Sequence, residues 1–353
     1  MTTEMRDAGF VLAEADTRPP VRVAVLGTGR IGRMHAELLA REVHGATVPA
    51  VADVVPGVAA RLGADLGVDA GSIDEVLASS DVDAVAICSS TDTHVDLVVR
   101  AAEAGKAIFC EKPVSLDLAE VDRALSAVEA AGVPFMVGFN RRFDPGHASV
   151  REAVRSGALG DLHMLRITSR DPAPPPPEYV AVGGGIFLDM TIHDFDMARF
   201  VVGSEVVEVF ARGAVRIDPR IGDAGDVDTA VVVLTHADGT LTTIDNSRQA
   251  VYGFDQRLEA FGAAGMAVSD NPPRHAGWIR TAGATTGQPL PWFFLDRYLP
   301  SYRNEWAAFV SFVRDGGPSP VDAASGRAPV VIGLAATRSL REGRPVAIEE
   351  VDQ

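Results

Sequence analysis

Val21-Arg22-Val23-Ala24-Val25-Leu26-Gly27-Thr28-Gly29-Arg30-Ile31-Gly32 is the stretch that decides the fold. A β-branched run ends in glycines spaced G-x-G-x-x-G, and the residues after them, 34–41, carry a helical pattern. This predicts a strand, a tight turn and a helix. At such a turn Gly27 permits the bend, Gly29 lets main chain approach a pyrophosphate, and Gly32 allows close packing of the helix. Arg30 and Ile31 open the helix, whose N-terminal amides would face the phosphates. The next expected strand, 48–52, runs into Asp53, which lies 53 − 32 = 21 residues past the last glycine. That spacing suits a carboxylate bonded to ribose hydroxyls. Asp53 would repel a 2′-phosphate, and Val54 and Val55 supply no arginine to hold one, so the expected cofactor is NAD and not NADP.

Outward from this turn, helix and strand patterns alternate. Helices are expected near 56–66 and 72–79, with a strand at 84–88. That strand opens into Ser89-Ser90-Thr91-Asp92-Thr93-His94, where Asp92 or Thr93 can cap a helix running to Ala104. The carboxyl end of a parallel strand faces the cofactor, so Ser89, Thr91 and His94 are candidate cofactor contacts. A strand at 106–110 leads into Glu111-Lys112-Pro113, which sets a lysine at a strand's carboxyl end before a proline. A helix at 118–131 and a strand at 133–139 complete a doubly wound parallel sheet. The expected units are a flexible extension over 1–20 and a dinucleotide-binding Rossmann domain over 21–142.

Beyond Phe143 the pattern changes. Strand-like runs at 163–169, 206–215, 229–235, 240–245 and 257–261 follow one another mostly without helices between them. They predict an α+β domain over 143–353, built on a large, open, mainly antiparallel sheet. Asp171-Pro172-Ala173-Pro174-Pro175-Pro176-Pro177 reads as a polyproline-type loop and a candidate wall of the site. The polar, glycine-rich stretch 277–289 reads as a mobile loop. Helices are expected at 302–314 and 323–342, the last near the domain junction. Within Gly184-Gly185-Ile186-Phe187-Leu188-Asp189-Met190-Thr191-Ile192-His193-Asp194-Phe195-Asp196, helix from about Asp189 would put Asp189 and His193 one turn apart on one face. Asp196 would then lie near enough to fix the imidazole's tautomer.

Composition bounds the function. A formal charge of −16 and a pI near 4.9 argue against nucleic acid and anionic membranes as partners. Cys88 and Cys110 sit in apolar runs, which suits free thiols in a reducing compartment, and no Cys/His cluster has metal-ligand spacing. The first twenty residues fit neither a secretory signal nor a membrane anchor, so the expected location is the cytoplasm.

Together, the glycine turn, the run from Ala104 to Pro113 and the stretch from Gly184 to Asp196 resemble the glucose-fructose oxidoreductase/inositol dehydrogenase/rhizopine-catabolism superfamily. Within it, Asn140-Arg141-Arg142-Phe143-Asp144, Arg170-Asp171-Pro172 and Asp189 to His193 resemble bacterial inositol 2-dehydrogenases. The resemblance implies a catalytic set of Lys112, Asp189 and His193, with Glu111 among the cofactor contacts and a substrate site that includes Arg141. Tyr252 and Asn246 are weaker substrate-site candidates, and Arg142 reads as structural. The implied reaction is hydride transfer from a cyclitol's secondary hydroxyl to NAD, giving a ketone. His193 would take the proton, Lys112 would stabilise the oxygen and Asp189 would orient the ring. The resemblance further implies a homotetramer formed through the second domain's sheet. Ser169 stands where some inositol dehydrogenases have histidine, which leaves another sugar or an aminocyclitol as an alternative substrate. A non-catalytic cofactor-sensing regulator is the rival outside catalysis.

Overall fold

Two seven-stranded sheets organise the residues that the computed structural model describes, 18–180 and 182–352. Positions 1–17 of the expected extension lie outside the described residues. The first sheet comprises β1 (Val21–Leu26), β2 (Ala46–Thr47), β3 (Ala50–Ala52), β4 (Asp69–Gly71), β5 (Ala84–Ile87), β6 (Ala107–Glu111) and β7 (Phe135–Gly138). Its order is β4-β3-β1-β5-β6-β7, all parallel, with β2 also paired to β1. The helices α1 (Arg30–Arg41), α2 (Pro56–Leu66), α3 (Ile73–Ala78), α4 (Thr91–Glu103) and α5 (Leu118–Ala131) connect these strands. Helices cover both faces of such a sheet, so β5, β6 and β7 read as unbroken apolar runs and are buried along almost their whole length.

The expected strand at 48–52 is in fact two. Pro49 has no N–H to give a ladder, and β2 and β3 flank it; its carbonyl accepts from the Asp69 amide at 3.3 Å. The helix expected to be capped by Asp92 or Thr93 instead begins at Thr91 with Ser90 as N-cap. Thr93 Oγ1 turns back to donate to the Ser90 carbonyl at 2.8 Å, so no side chain caps that helix.

A 3₁₀ turn (Asn140–Phe143) and α6 (Pro145–Arg155) lead to the second sheet. Its strands are β8 (Leu162–Arg170), β9 (Val206–Ala214), β10 (Thr229–His236), β11 (Leu241–Ser247), β12 (Asp255–Gly262), β13 (Gly265–Ser269) and, after a two-strand hairpin of β14 (Ile279–Arg280) and β15 (Thr285–Thr286), β16 (Val346–Ala347). The order is β13-β12-β8-β11-β10-β9-β16, antiparallel at every pairing except β8 with β11. Residues alternate between a buried face and an open one, as in β10, where Ala230, Val232 and Leu234 are buried and Val231 is 52% exposed. Three short helices, α7 (Pro177–Val180), α8 (Gly185–Asp189) and α10 (Pro219–Asp223), and the longer α9 (Ile192–Val202) complete this half.

Two C-terminal helices tie the halves together. Although α11 (Phe294–Asp315) follows the second sheet in sequence, its Tyr298, Tyr302, Trp306, Phe309 and Val310 enter the core of the first. It starts eight residues before the expected 302, carrying Pro300 inside it, because that buried aromatic face outweighs the one backbone bond the proline removes. The last helix, α12 (Ala323–Glu342), touches both halves: a Cβ at Gly326 would strike Val137 of the first, and one at Gly333 would strike Leu188 of the second. Cys88 and Cys110 are buried free thiols, pushed up by burial. Among the described residues no helix is long and apolar enough to cross a membrane, and no three His, Cys, Asp or Glu residues could hold a metal ion.

Candidate active site

A cleft of about 1460 Å³ runs from the glycine turn to the α8/α9 junction. That exceeds the roughly 300–1,000 Å³ of most small-molecule sites and leaves room for a dinucleotide with a second ligand beside it.

The glycine end has the features a pyrophosphate needs. Gly27 lies at φ +91°, and a Cβ there would sit 2.4 Å from the Ser89 amide nitrogen. A Cβ on Gly32 would fall 1.8 Å from the Gly27 carbonyl oxygen, so α1 can approach β1 only without a side chain. At Gly29 the same construction meets nothing within 4 Å, the main chain there facing the open cleft. Nor does any side chain cap α1, whose first turn carries no acid, so its amides remain free for an anion. Asp53 accepts from the Thr28 amide at 2.6 Å, the Thr28 hydroxyl at 2.9 Å and the Val55 amide at 2.9 Å. These bonds outweigh its partial burial and hold the carboxyl below its usual range, so it stands ionised with lone pairs to spare for ribose hydroxyls. The residues therefore fit NAD.

Of the expected cofactor contacts, Gly27, Gly29, Arg30, Ile31, Asp53, Ser89, Thr91, His94, Glu111 and Lys112 line the cleft, whereas Gly32 lies behind it. His94 is occupied within the protein. It is 1% exposed, and its ring nitrogens lie 2.8 Å from the Pro113 carbonyl and 3.1 Å from that of Ser89. Burial pushes this imidazole down despite those two acceptors. His94 thus ties the end of β5 to the turn that carries Lys112.

At the far end, Lys112, Asn140, Arg141, Asp171, Tyr179, Asp189 and His193 meet. The continuous helix expected from Asp189 does not form. α8 ends at Asp189 and α9 begins at Ile192, because the Thr191 amide donates to the Ile186 carbonyl at 2.9 Å. Thr191 is held there through its 2.7 Å bond to Asn246. Asp189 and His193 still open onto one cleft, from two helices. The Asp189 carbonyl accepts from Lys112 Nζ at 3.1 Å, a bond between the two halves of the molecule. His193 is half-buried in the cleft wall, and desolvation there, with Lys112 and Arg141 nearby, holds its imidazole neutral well below the usual histidine range.

Asp196 does not orient His193. It forms a fork with Arg142, whose Nε and Nη2 approach it at 2.9 and 2.6 Å, so Arg142 is structural as expected. Nδ1 of His193 has no hydrogen-bond partner among the described residues, and the Phe139 ring stands edge-on to the imidazole at 6.1 Å. Arg141 is paired too: its Nη1 lies 2.6 Å from Asp194, whose other oxygen accepts from Asn246 at 2.8 Å. Tyr252 belongs to the opposite side of the second sheet. β8 turns Ser169 inward beside Arg141 and Arg170 outward, and Tyr252 accepts from that Arg170 at 3.0 Å and donates to Asp255 at 2.7 Å.

Two residues missed in the sequence, Arg248 and Tyr179, complete this end with Asp171, whose loop was the expected wall. Arg248, 2% exposed, donates to Asp189 Oδ2 at 3.0 Å and stands 3.9 Å from Asp226; Tyr179 donates to Asp189 Oδ1 at 3.0 Å. Asp171, in the proline-rich loop, lines the cleft and is pushed up to about 6 by burial, with Arg248 opposing and Asp189 adding to the rise. The period-two inward series Ile244, Asn246, Arg248 was the signal that could have found the arginine.

Comparison with known proteins matches this architecture. Residues 21–139 fit the model of an oxidoreductase family with an NAD-binding Rossmann fold, and residues 147–268 fit the GFO/IDH/MocA C-terminal domain. The chain is 48% identical to a myo-inositol 2-dehydrogenase of Thermotoga maritima, covering 94% of this chain and 99% of that one. It is 45% identical to an inositol 2-dehydrogenase of Rhizobium meliloti, with 93% and 99% covered. A scyllo-inositol dehydrogenase from Lactobacillus casei, solved with NAD(H) and scyllo-inositol bound, superposes with a TM-score of 0.87 at 28% identity, over 94% of this chain and 99% of that one. The two family models and relatives at 45–48% identity together span nearly the whole sequence, and the chain belongs to the GFO/IDH/MocA family of oxidoreductases.

Proposed function

We propose that the protein oxidises a secondary hydroxyl of a cyclitol, myo-inositol or a close isomer, to the ketone, with NAD as oxidant. The observation that carries this reading is the meeting of Lys112, Asp189 and His193 at one end of a cleft whose other end holds a glycine turn and Asp53. NAD, held by that turn and by Asp53, supplies the hydride acceptor. His193, kept neutral by partial desolvation and the nearby cations, takes the hydroxyl proton as the carbon-bound hydrogen leaves with its electron pair. Lys112 places an ammonium at the oxygen and stabilises its alkoxide character before the carbonyl forms. Asp189, held by Tyr179 and Arg248, accepts from a neighbouring ring hydroxyl and fixes the ring.

The acidic charge at Asp53 favours NAD over NADP. The open face of the second sheet carries Val231, Phe261, Met266 and Val268, each more than 45% exposed, which supports assembly into a homotetramer through that face. Two buried free thiols suit the cytoplasm. A second reading, an aminocyclitol or another sugar as substrate, rests on Ser169, which stands beside Arg141 where some inositol dehydrogenases have histidine.

The test is a polyol and sugar panel with NAD and NADP, followed by absorbance of the reduced cofactor. The expected result is turnover of at least one inositol with NAD; no turnover of any cyclitol refutes the substrate assignment. Lys112→Ala and His193→Ala should each lose at least ~10²-fold in turnover while still binding NAD.

A further inference from the structure

Glu111 immediately precedes Lys112, and both side chains open onto the cleft. A carboxylate and an ammonium so close would pair, and the pair would withdraw the ammonium from a substrate oxygen. The molecule keeps them apart. Glu111 Oε1 lies 2.7 Å from His35 Nε2, and its Oε2 accepts from the backbone amide of Lys112 at 3.2 Å. Nδ1 of His35 accepts from Trp306 Nε1 at 2.9 Å.

An indole N–H can only donate, so His35 Nδ1 must be bare. The proton of the neutral ring is therefore on Nε2, aimed at Glu111. His35 and Trp306 are both fully buried, and the rings of Phe109, Tyr302 and Trp306 surround the imidazole edge-on at 5.4 Å each. The chain of bonds begins on α11, passes through α1 and ends at the carboxyl end of β6. Lys112 Nζ, left without a carboxylate among the described residues, bonds the Asp189 carbonyl.

We propose that Trp306 and His35 are positioning residues for Lys112: they hold the Glu111 carboxylate away from the ammonium, which stays available to the substrate oxygen. The proposal rests on the role given above to Lys112. Neither residue touches substrate or cofactor; both act through Glu111.

The test compares His35→Leu, His35→Gln, Trp306→Phe and the double variant His35→Leu/Glu111→Gln with the wild type. His35→Leu removes the restraint and should lower kcat by about 10–100-fold, the size of one electrostatic contact, while the KM for NAD stays within roughly threefold. Glutamine at 35 can accept from Trp306 and donate to Glu111, so His35→Gln should keep most of the turnover. In the double variant the charge that would capture Lys112 is gone, and kcat should recover about tenfold over His35→Leu. Trp306→Phe frees Nδ1 and should lower kcat in the same direction; it tests the chain if His35→Leu does not fold.

A readout independent of turnover is the rate at which an amine-reactive acylating reagent labels Lys112 in the cofactor-free protein, followed by peptide mass spectrometry. His35→Leu should slow labelling about threefold, and the double variant should restore it, as expected for an ammonium captured and then released by a carboxylate. Wild-type kcat and labelling in both His35→Leu and Trp306→Phe would overturn the proposal. So would a loss that neither glutamine at 35 nor the double variant restores. Failure of the wild type to oxidise any cyclitol would instead overturn the proposed function and leave the labelling result to judge the positioning role.

Discussion

Replacing Arg248 with methionine tests whether the substrate end of the cleft is held together by charge. The guanidinium is 2% exposed, 3.0 Å from Asp189 and 3.9 Å from Asp226, and it opposes the rise at Asp171. At 3.0 Å and an effective dielectric near 20, the bond to Asp189 alone corresponds to roughly 5 kcal/mol. Methionine fills much of the volume but removes the guanidinium that pairs with Asp189 and stands against Asp171 and Asp226. Breaking a buried pair in this way costs about 3–5 kcal/mol. The cost should depend on pH in a stated direction. Burial already raises Asp171 and Asp226, and the substitution raises them further. In the pH window between the unfolded value and the raised folded one, the folded state binds more protons than the unfolded, so stability falls as pH rises. Urea unfolding of Arg248→Met should therefore show a small deficit at pH 5 and the full one at pH 8. Kinetically, a loosened Asp189 should raise the KM for the cyclitol more than it lowers kcat. Equal stability at pH 8, or a deficit that does not change between pH 5 and 8, would refute the charge argument and leave only lost packing.

Two other substitutions probe the first half of the molecule. Asp53→Ala should narrow the NAD-to-NADP ratio of kcat/KM by at least tenfold, since a phosphate about 5 Å from a carboxylate costs roughly 1–4 kcal/mol; an unchanged ratio would contradict the assigned role of Asp53. Glu305 is fully buried with both carboxyl oxygens unpartnered, and burial together with Glu111 holds it neutral well above the usual carboxylate range. A raised carboxyl costs stability above its unfolded value, so Glu305→Met should gain about 1–3 kcal/mol at pH 8 and less near pH 5; a destabilised variant at pH 8 would assign this carboxyl a partner.

Much of the fold was legible in the sequence because local chemistry and global packing agree there. The glycine turn and the β1 run form one strand-turn-helix unit, onto which Asp53 closes from the end of β3 through Thr28, and the helices at 118–131 and 323–342 have the expected limits because Asp117 and Asp322 cap them and Gly132 and Gly343 stop them. The break between α8 and α9 was not legible. Thr191 ends one helix and starts another through bonds to Ile186 and Asn246, and Asn246 lies 55 residues away on β11. The pairings of Arg248 and Trp306 were hidden for the same reason, since their partners Asp189 and His35 stand 59 and 271 residues off, although Arg248 continues the inward series of Ile244 and Asn246. Tyr252 shows the converse: near the site in sequence, it lies in the turn between β11 and β12, and its hydroxyl is taken up by Arg170 and Asp255 on the outward side of the sheet.

The bond from Lys112 to residue 189 is made to a carbonyl, not to the aspartate side chain. Main chain is common to every amino acid, so the lysine's anchorage on the second domain survives any exchange at 189 that preserves the end of α8. Substrate choice and placement of the cation are thereby inherited separately at a single position. A lineage, or an engineer, can vary the side chain at 189 to greet a different ring substituent without first rebuilding the group that acts on the oxygen.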